Sequence, residues 1–316
     1  MARPAALHAP GATATVPAGT PVGPATRFIA EIGSNHNRDR NRCLELVDVA
    51  AAAGCGAVKL QVFRVEDLFA PEALARHPHL AARSAWELPL QLLDPIRQRC
   101  TQHGLELCAT PFGLWAVEAL AEHVDCFKVA SYELLWHELI RACAATDRPL
   151  ILSTGMATLK EVAAAVAAAR SAGAEPRLLH CVSGYPTPPA QANLAAIATL
   201  RERCGVPVGW SDHTCSERVV RRAVRRWGAS DVELHIDLDG RGREAGLHSW
   251  TPERLHALIA SLGEAGPDDA DEGPEAAALD GDGVKRPMPV ELPDVPWRAD
   301  PADGLRPLRL LRGELV

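Results

Sequence analysis

The chain reads as an α/β protein: a (β/α)8 TIM barrel with a disordered N-terminal segment ahead of it and a short C-terminal tail behind. Three observations predict this. From Arg27 onward, short apolar runs alternate with longer amphipathic stretches, the signature of repeated strand–helix units. Eight such runs can be counted, the number that closes a parallel barrel. No G-x-G-x-x-G follows the first run, which argues against the runner-up, an open doubly wound sheet.

The predicted strands are 27–32 (RFIAEI), 56–62 (GAVKLQV), 105–109 (LELCA), 125–129 (DCFKV), 149–153 (PLILS), 176–181 (PRLLHC), 206–210 (VPVGW) and 231–236 (DVELHI). Helical stretches lie between them, among them Asn41–Ala53, Leu159–Ser171 and Glu217–Trp227. Thr158-x-x-Glu161 is a capping box, and Thr251-Pro252-Glu253 pairs an N-cap with proline at the first helical position, opening a final helix, Pro252 to Leu262. Ala-Gly at 53–54 and 172–173 ends a helix ahead of the next strand. The organisation expected is a flexible segment at 1–26, the barrel at 27–262, an acidic flexible linker at 263–290 and a tail at 291–316.

Composition narrows the function. The 316 residues carry a formal charge of −7, so no net basic field exists to release counterions from nucleic acid. No apolar stretch approaches the roughly 20 residues that span a bilayer, and the Ala/Pro/Gly/Thr-rich N-terminus lacks a signal peptide's apolar core. Nine cysteines without a C-x-x-C pair fit reduced thiols and a cytoplasmic location. Cys43, Cys55, Cys108 and Cys126 fall on apolar faces and read as small core residues. Only four lysines occur, and two of them, Lys59 and Lys128, fall near strand ends.

In a barrel of this kind chemistry belongs at the C-terminal ends of the strands. Those ends present Glu31, then Lys59 with Gln61, then Thr110, then Lys128 with Ser131 and Glu133. Ser153-Thr154-Gly155, Ser183 to Pro188, Ser211-Asp212-His213 and His235 complete the circuit. Two lysines among Ser/Thr hydroxyls suit a small polyanion bearing phosphate or carboxylate. His213 and His235, with Asp212 adjacent, suit a divalent metal that keeps positions open for substrate. Together they describe a phosphorylated acid held beside a metal-activated carbonyl. Each of these residues also has a plainer use. A lone strand lysine is usually a surface residue, Ser153-Thr154-Gly155 could cap a helix, Tyr185 could be loop packing, and His36 could fix its loop. His77, His79, His103 and His123 read as solvated.

At these residues the chain resembles the sialic acid synthase family, N-acetylneuraminate synthases of the NeuB type. The shared motifs are A-E-I-G-S-N-H-N (30–37), V-K-L-Q-V-F (58–63), A-T-P-F (109–112), F-K-V-A-S-Y-E (127–133), L-S-T-G-M (152–156), Y-P-T-P (185–188), W-S-D-H-T (210–214) and E-L-H (233–235). They run in family order through the whole barrel. The resemblance implies that phosphoenolpyruvate condenses with an N-acetylmannosamine-like aldose to give a nonulosonic acid and phosphate. It implies that His213 and His235 bind Mn2+ or Mg2+, and that Lys59, Thr110, Lys128, Ser131, Ser153, Ser183 and Ser211 surround phosphoenolpyruvate. It makes Glu31 the acid/base group beside the catalytic histidines, and Gln61, Glu133 and Tyr185 the acceptor-side residues.

Three departures stand out. The family's E-K-H is Glu233-Leu234-His235 here, with the changed residue expected to point outward. The family's G-P-D-H, whose aspartate contacts the sugar, is represented by Ala245 to Trp250, with no carboxylate in that place. Residues 263–316 have no counterpart of the C-terminal antifreeze-like domain, which in the family supplies an arginine to the acceptor. The expected partners are phosphoenolpyruvate and a sugar aldehyde, neither nucleic acid nor membrane, with homodimerisation open. Two alternatives stay open: a Schiff-base aldolase using Lys59 or Lys128, and a catalytically silent barrel that binds a metabolite.

Overall fold

The computed structural model describes residues 26–262 and 273–315. The expected flexible segment up to residue 25 and part of the expected linker, 263–272, lie outside the described residues. Among the described residues, eight parallel strands close into a barrel, each paired with its neighbours in chain order and β1 with β8. The strands are β1 (Arg27–Gly33), β2 (Ala57–Val62), β3 (Glu106–Pro111), β4 (Cys126–Val129), β5 (Leu150–Ser153), β6 (Arg177–Cys181), β7 (Val208–Asp212) and β8 (Asp231–His235). β7 begins two residues later than its apolar run suggests. Pro207 has no N–H to give the ladder, so pairing starts at Val208 and carries Ser211 and Asp212 into the strand. β3 runs on to Pro111, which places Thr110 within it, opposite Gln61.

Helices fill the outer layer where their sequence signals fall. Leu159–Ser171 opens on the complete Thr158/Glu161 capping box. Arg40–Ala53 is capped by Asp39, whose carboxylate accepts from Arg42 N at 2.8 Å, and stops at Gly54, which holds φ of 89°. No helix among the described residues is long and apolar enough to cross a membrane.

The period of two along each strand sorts side chains into layers inside the barrel. At the bottom, Arg27 and Arg177 converge on the buried Asp231, at 2.8 and 2.7 Å. Above them Ile29, Ala57, Cys108, Cys126, Ile151 and Leu179 form an apolar plug. The next inward positions are polar and form the floor of the site. Outward residues such as Leu234 pack under the helices, as expected for the departure from E-K-H. Cys43 and Cys55 are buried among the helix contacts.

The expected linker and tail depart most from expectation. Residues 274–280 form a helix (Pro274–Asp280) docked on the barrel, and Lys285 and Glu291 are buried. A run of Gly, Pro and acidic residues resembles a linker when read locally. It is held here by distant partners: Asp280 receives Arg222 (Nε at 2.6 Å) and the Trp227 indole (2.7 Å), and Asn193 accepts from Gly283 N at 2.9 Å.

Candidate active site

A cavity of about 750 Å³ opens at the C-terminal end of the barrel. Its floor is the polar layer above the apolar plug. Lys59 and Lys128 are both almost fully buried, and Lys128 Nζ donates to Ser153 Oγ at 2.6 Å. Lys59 Nζ lies 2.6 Å from Glu31 Oε2, 3.2 Å from Glu233 Oε2 and 3.4 Å from Thr110 Oγ1. Burial pulls the Lys59 pKa down to about 8 and Lys128 adds to the effect, while Glu233 opposes it. Glu233 is held below the usual carboxylate range: burial opposes its charge, but Lys128, Lys59 and the Ser211 hydroxyl more than offset that. The floor thus holds two lysines cross-braced by two carboxylates.

The serines sit around this pair. Ser131, Ser153 and Ser211 line the cavity; Thr110, Ser183 and Glu31 are buried beside the lining rather than in it. Gly155 N donates to Ser131 Oγ at 2.9 Å, and a Cβ on Gly155 would lie 2.1 Å from Ser183 Oγ. Only glycine allows the two serines to approach that backbone. Glu291 of the tail accepts from Met156 N and Ser183 N, each at 2.7 Å, and so ties the β5 and β6 loops together.

His213 and His235 come out side by side, with ring centroids 5.4 Å apart. His213 Nδ1 lies 2.9 Å from the Val182 carbonyl. A carbonyl can only accept, so Nδ1 carries the proton and Nε2 keeps its lone pair. Burial, reinforced by His213, His248 and the lysines, pushes the His235 pKa well down, so this ring is neutral; its Nδ1 is buried without a partner. Burial opposes charge on His213, but Cys181 and the Val182 carbonyl more than offset it and raise its pKa. Two adjacent imidazoles, each neutral once it gives a lone pair, fit a divalent cation. Among the described residues no group of three or more His, Cys, Asp or Glu side chains is arranged to hold one. The protein would therefore supply two ligands, leaving the others to substrate or water.

Asp212 is a correction. It faces away from the cavity, and its carboxylate accepts from the Trp210 and Trp250 indoles at 3.1 and 3.2 Å, from Thr214 Oγ1 at 2.7 Å and from Cys215 N at 3.0 Å. Adjacency in sequence misleads because neighbours on a strand point to opposite faces. Asp212→Ala should cost about 2–4 kcal/mol by orphaning these donors. It should leave divalent-metal affinity within about twofold, as titration calorimetry of the folded variant would show; loss of metal binding at unchanged stability would contradict the assignment.

The acceptor-side expectations divide. Gln61 lines the cavity and donates to Glu31 Oε1 at 3.2 Å. Tyr185 lines it too, 4.2 Å from the His213 ring. Glu133 lies off the lining, buried, with Oε1 engaged by the guanidinium of Arg306. His36 is a loop-fixing residue, Nδ1 accepting from Arg38 N at 2.8 Å. His103 and His123 pair with Asp48 and Asp94 toward solvent; His77 and His79 line the cavity mouth, His79 exposed as expected and His77 half-buried.

Several lining residues escaped the sequence reading. Glu233 could have been found, since it precedes His235 by two and must share its face. Glu244 supplies a carboxylate where Ala245 to Trp250 offered none, and its Oε2 accepts from Ser34 N at 2.7 Å. His248 brings a third ring 5.0 Å from His235, with burial lowering its pKa to about 4. Arg83, Asp294, Trp297 and Arg306 come from distant segments with no local signal.

The NeuB family model matches residues 46–266. The N,N'-diacetyllegionaminic acid synthase of Legionella pneumophila is 32% identical over 287 residues, covering 84% of this chain and 76% of the relative. The enzyme of the same name from Campylobacter jejuni is 32% identical over 255 residues, 75% of each chain. Among solved structures, the N-acetylneuraminic acid (sialic acid) synthetase of Leptospira borgpetersenii superposes with a TM-score of 0.70 at 28% identity, covering 85% of this chain and 90% of that one. The spore coat polysaccharide biosynthesis protein SpsE of Bacillus subtilis gives 0.74 at 26%, over 86% and 77%. The polar floor, the paired imidazoles and these likenesses converge on one conclusion: the chain belongs to the NeuB family and is an enzyme of the sialic-acid-synthase type.

Proposed function

We propose that the enzyme condenses phosphoenolpyruvate with an aldose resembling N-acetylmannosamine, giving a nonulosonic 2-keto-3-deoxy acid and phosphate. The observation that carries this reading is the two-lysine, multi-serine floor lying beneath two adjacent imidazoles in one cavity.

The phosphate and carboxylate of the donor fall to Lys59, Lys128, Ser131, Ser153 and Ser211, with Thr110 and Ser183 supporting from behind. Glu31 and Glu233 hold the lysines ready when the floor is empty, so little reorganisation is needed when the anion arrives. Mn2+ or Mg2+ on His213 and His235 would supply Lewis-acid polarisation of the acceptor aldehyde. The enol carbon of the donor attacks the aldehyde carbon, forming the new C–C bond. Water then adds to C2, and the C–O bond to phosphate breaks. The adding water loses both protons, one ending on the former aldehyde oxygen and the other on the departing phosphate as the C2 hydroxyl becomes the ketone; Glu31 and Glu233, flanking Lys59, are the carboxylates nearest to move them. Gln61, Tyr185 and Glu244 offer an amide, a phenol and a carboxylate to acceptor hydroxyls.

The direct test is a screen of N-acylated aldoses with phosphoenolpyruvate and Mn2+, scored by phosphate release and product mass. Silence across the panel would remove the proposal. The Schiff-base alternative is disfavoured by the bracing of both lysines by carboxylates, and an absence of borohydride-trapped adduct is expected.

The Lys59 shift sets a pH dependence. Its ammonium is charged below about pH 8 and neutral above it. With the donor's phosphate fully ionised, affinity should be level from about pH 7 to 7.5 and weaken above pH 8, by at most about tenfold per pH unit. Calorimetric titration with phosphoenolpyruvate across this range checks it; constant affinity up to pH 9.5 would remove Lys59 from the binding role.

A further inference from the structure

The C-terminal segment does more than dock. Its backbone joins the mouth of the barrel: Arg306 N donates to Leu68 O at 3.0 Å, Ala70 N donates to Arg306 O at 2.8 Å, and Ala299 N donates to Tyr132 O at 2.9 Å. These bonds fix Arg306 at the cavity wall, with only 7% of its surface exposed. Its guanidinium lies 4.3 Å from the Tyr132 ring and 5.4 Å from the Phe112 ring, and Nε donates to Glu133 Oε1 at 2.9 Å. Glu133 itself lies behind that guanidinium, off the cavity lining, and its Oε2 is buried without a hydrogen-bond partner.

This arrangement is costly without a use. A buried ion pair that leaves one carboxylate oxygen unsatisfied is poor stabilisation for a fold that could have packed apolar side chains there. It is well suited to presenting a rigid guanidinium to oxygen atoms of a ligand. Glu133 and the two rings set the plane of the fork, and the cavity side of Arg306 remains for substrate.

Resting on the reading of the cavity as a condensation site, we propose that Arg306 is the acceptor-binding cation of this enzyme, delivered in cis by its own C-terminal segment. Glu133 is then a positioning residue for Arg306 and makes no contact with the acceptor. The group recognised is an oxygen-rich face of the aldose, its hydroxyls or an N-acyl carbonyl.

Steady-state kinetics with separate variation of donor and acceptor test this. Arg306→Met should raise the acceptor KM by about 30-fold, the worth of a hydrogen bond to a charged group. The phosphoenolpyruvate KM and Mn2+ affinity should stay within about twofold. Arg306→Lys should recover only part of the loss, because a point charge cannot reproduce the fork. The double variant Glu133→Gln/Arg306→Met removes both charges and so guards against misfolding around an orphaned carboxylate. Its acceptor KM should match that of Arg306→Met, because Glu133 acts only through Arg306. An unchanged acceptor KM in an active Arg306→Met enzyme, or equal effects on donor and acceptor, would overturn the proposal. Recovery of turnover on mixing Arg306→Met chains with inactive His213→Ala chains would overturn delivery in cis. Failure of the parent reading looks different, since wild-type protein would then release no phosphate with any acceptor and Arg306 would have no acceptor to bind.

Discussion

His213→Ala is expected to lower kcat by at least about 10³-fold, the scale on which removal of a preorganised electrophilic group is felt. The ring is buried, its Nδ1 proton is committed to the Val182 carbonyl, and its Nε2 lone pair is the only one left to bind a cation. Its centroid is 5.4 Å from that of His235, so alanine would leave one protein ligand where two are proposed. Mn2+ titration followed by paramagnetic resonance should show a loss of affinity in the same variant. Stability should fall by only about 1–2 kcal/mol, for one hydrogen bond and a small cavity. A variant that folds, binds Mn2+ as before and turns over would dismiss the metal assignment. If metal binding were retained but activity lost, His213 would instead be acting on substrate directly.

The second large effect is expected at the donor floor. Lys128→Met keeps the length and packing of the side chain but removes the ammonium that donates to Ser153 Oγ at 2.6 Å and lies 3.8 Å from Glu233. Two losses follow. The polyanion loses a charged contact in a site walled off from water, and Glu233 keeps only Lys59 as a counter-charge, so the floor becomes net negative before substrate arrives. Together these should lower kcat/KM for phosphoenolpyruvate by roughly 10³-fold, about 4 kcal/mol of lost transition-state stabilisation. Adding Glu233→Gln should restore part of the binding by removing the uncompensated carboxylate. An indifferent Lys128→Met enzyme would leave Lys128 a structural residue. A double variant no better than the single would leave Glu233 outside the charge balance.

Much of the floor was legible because strands impose a period of two. Once Lys59 is taken as inward, Gln61 must follow it to the rim, and by the same rule His235 implies Glu233. The same rule places Glu233 inward and turns Asp212 outward beside inward Ser211. Helix Leu159–Ser171 was equally legible, since its capping box is complete within four residues. The β7 start was displaced because one proline outweighs the apolar pattern around it.

The sequence by itself determined the barrel, the strand ends that carry chemistry, and the lysine, serine and histidine set facing one cavity, because each follows from local periodicity and from strands running parallel. It could not disclose that Glu244 reaches Ser34, that Glu291 clasps the β5 and β6 loops, or that Arg306 stands on Glu133, 173 positions away. Those partners lie on segments with no strand or helix period to announce them. Only closure of the barrel brings them to its mouth, where burial makes each unpaired charge too costly to leave alone.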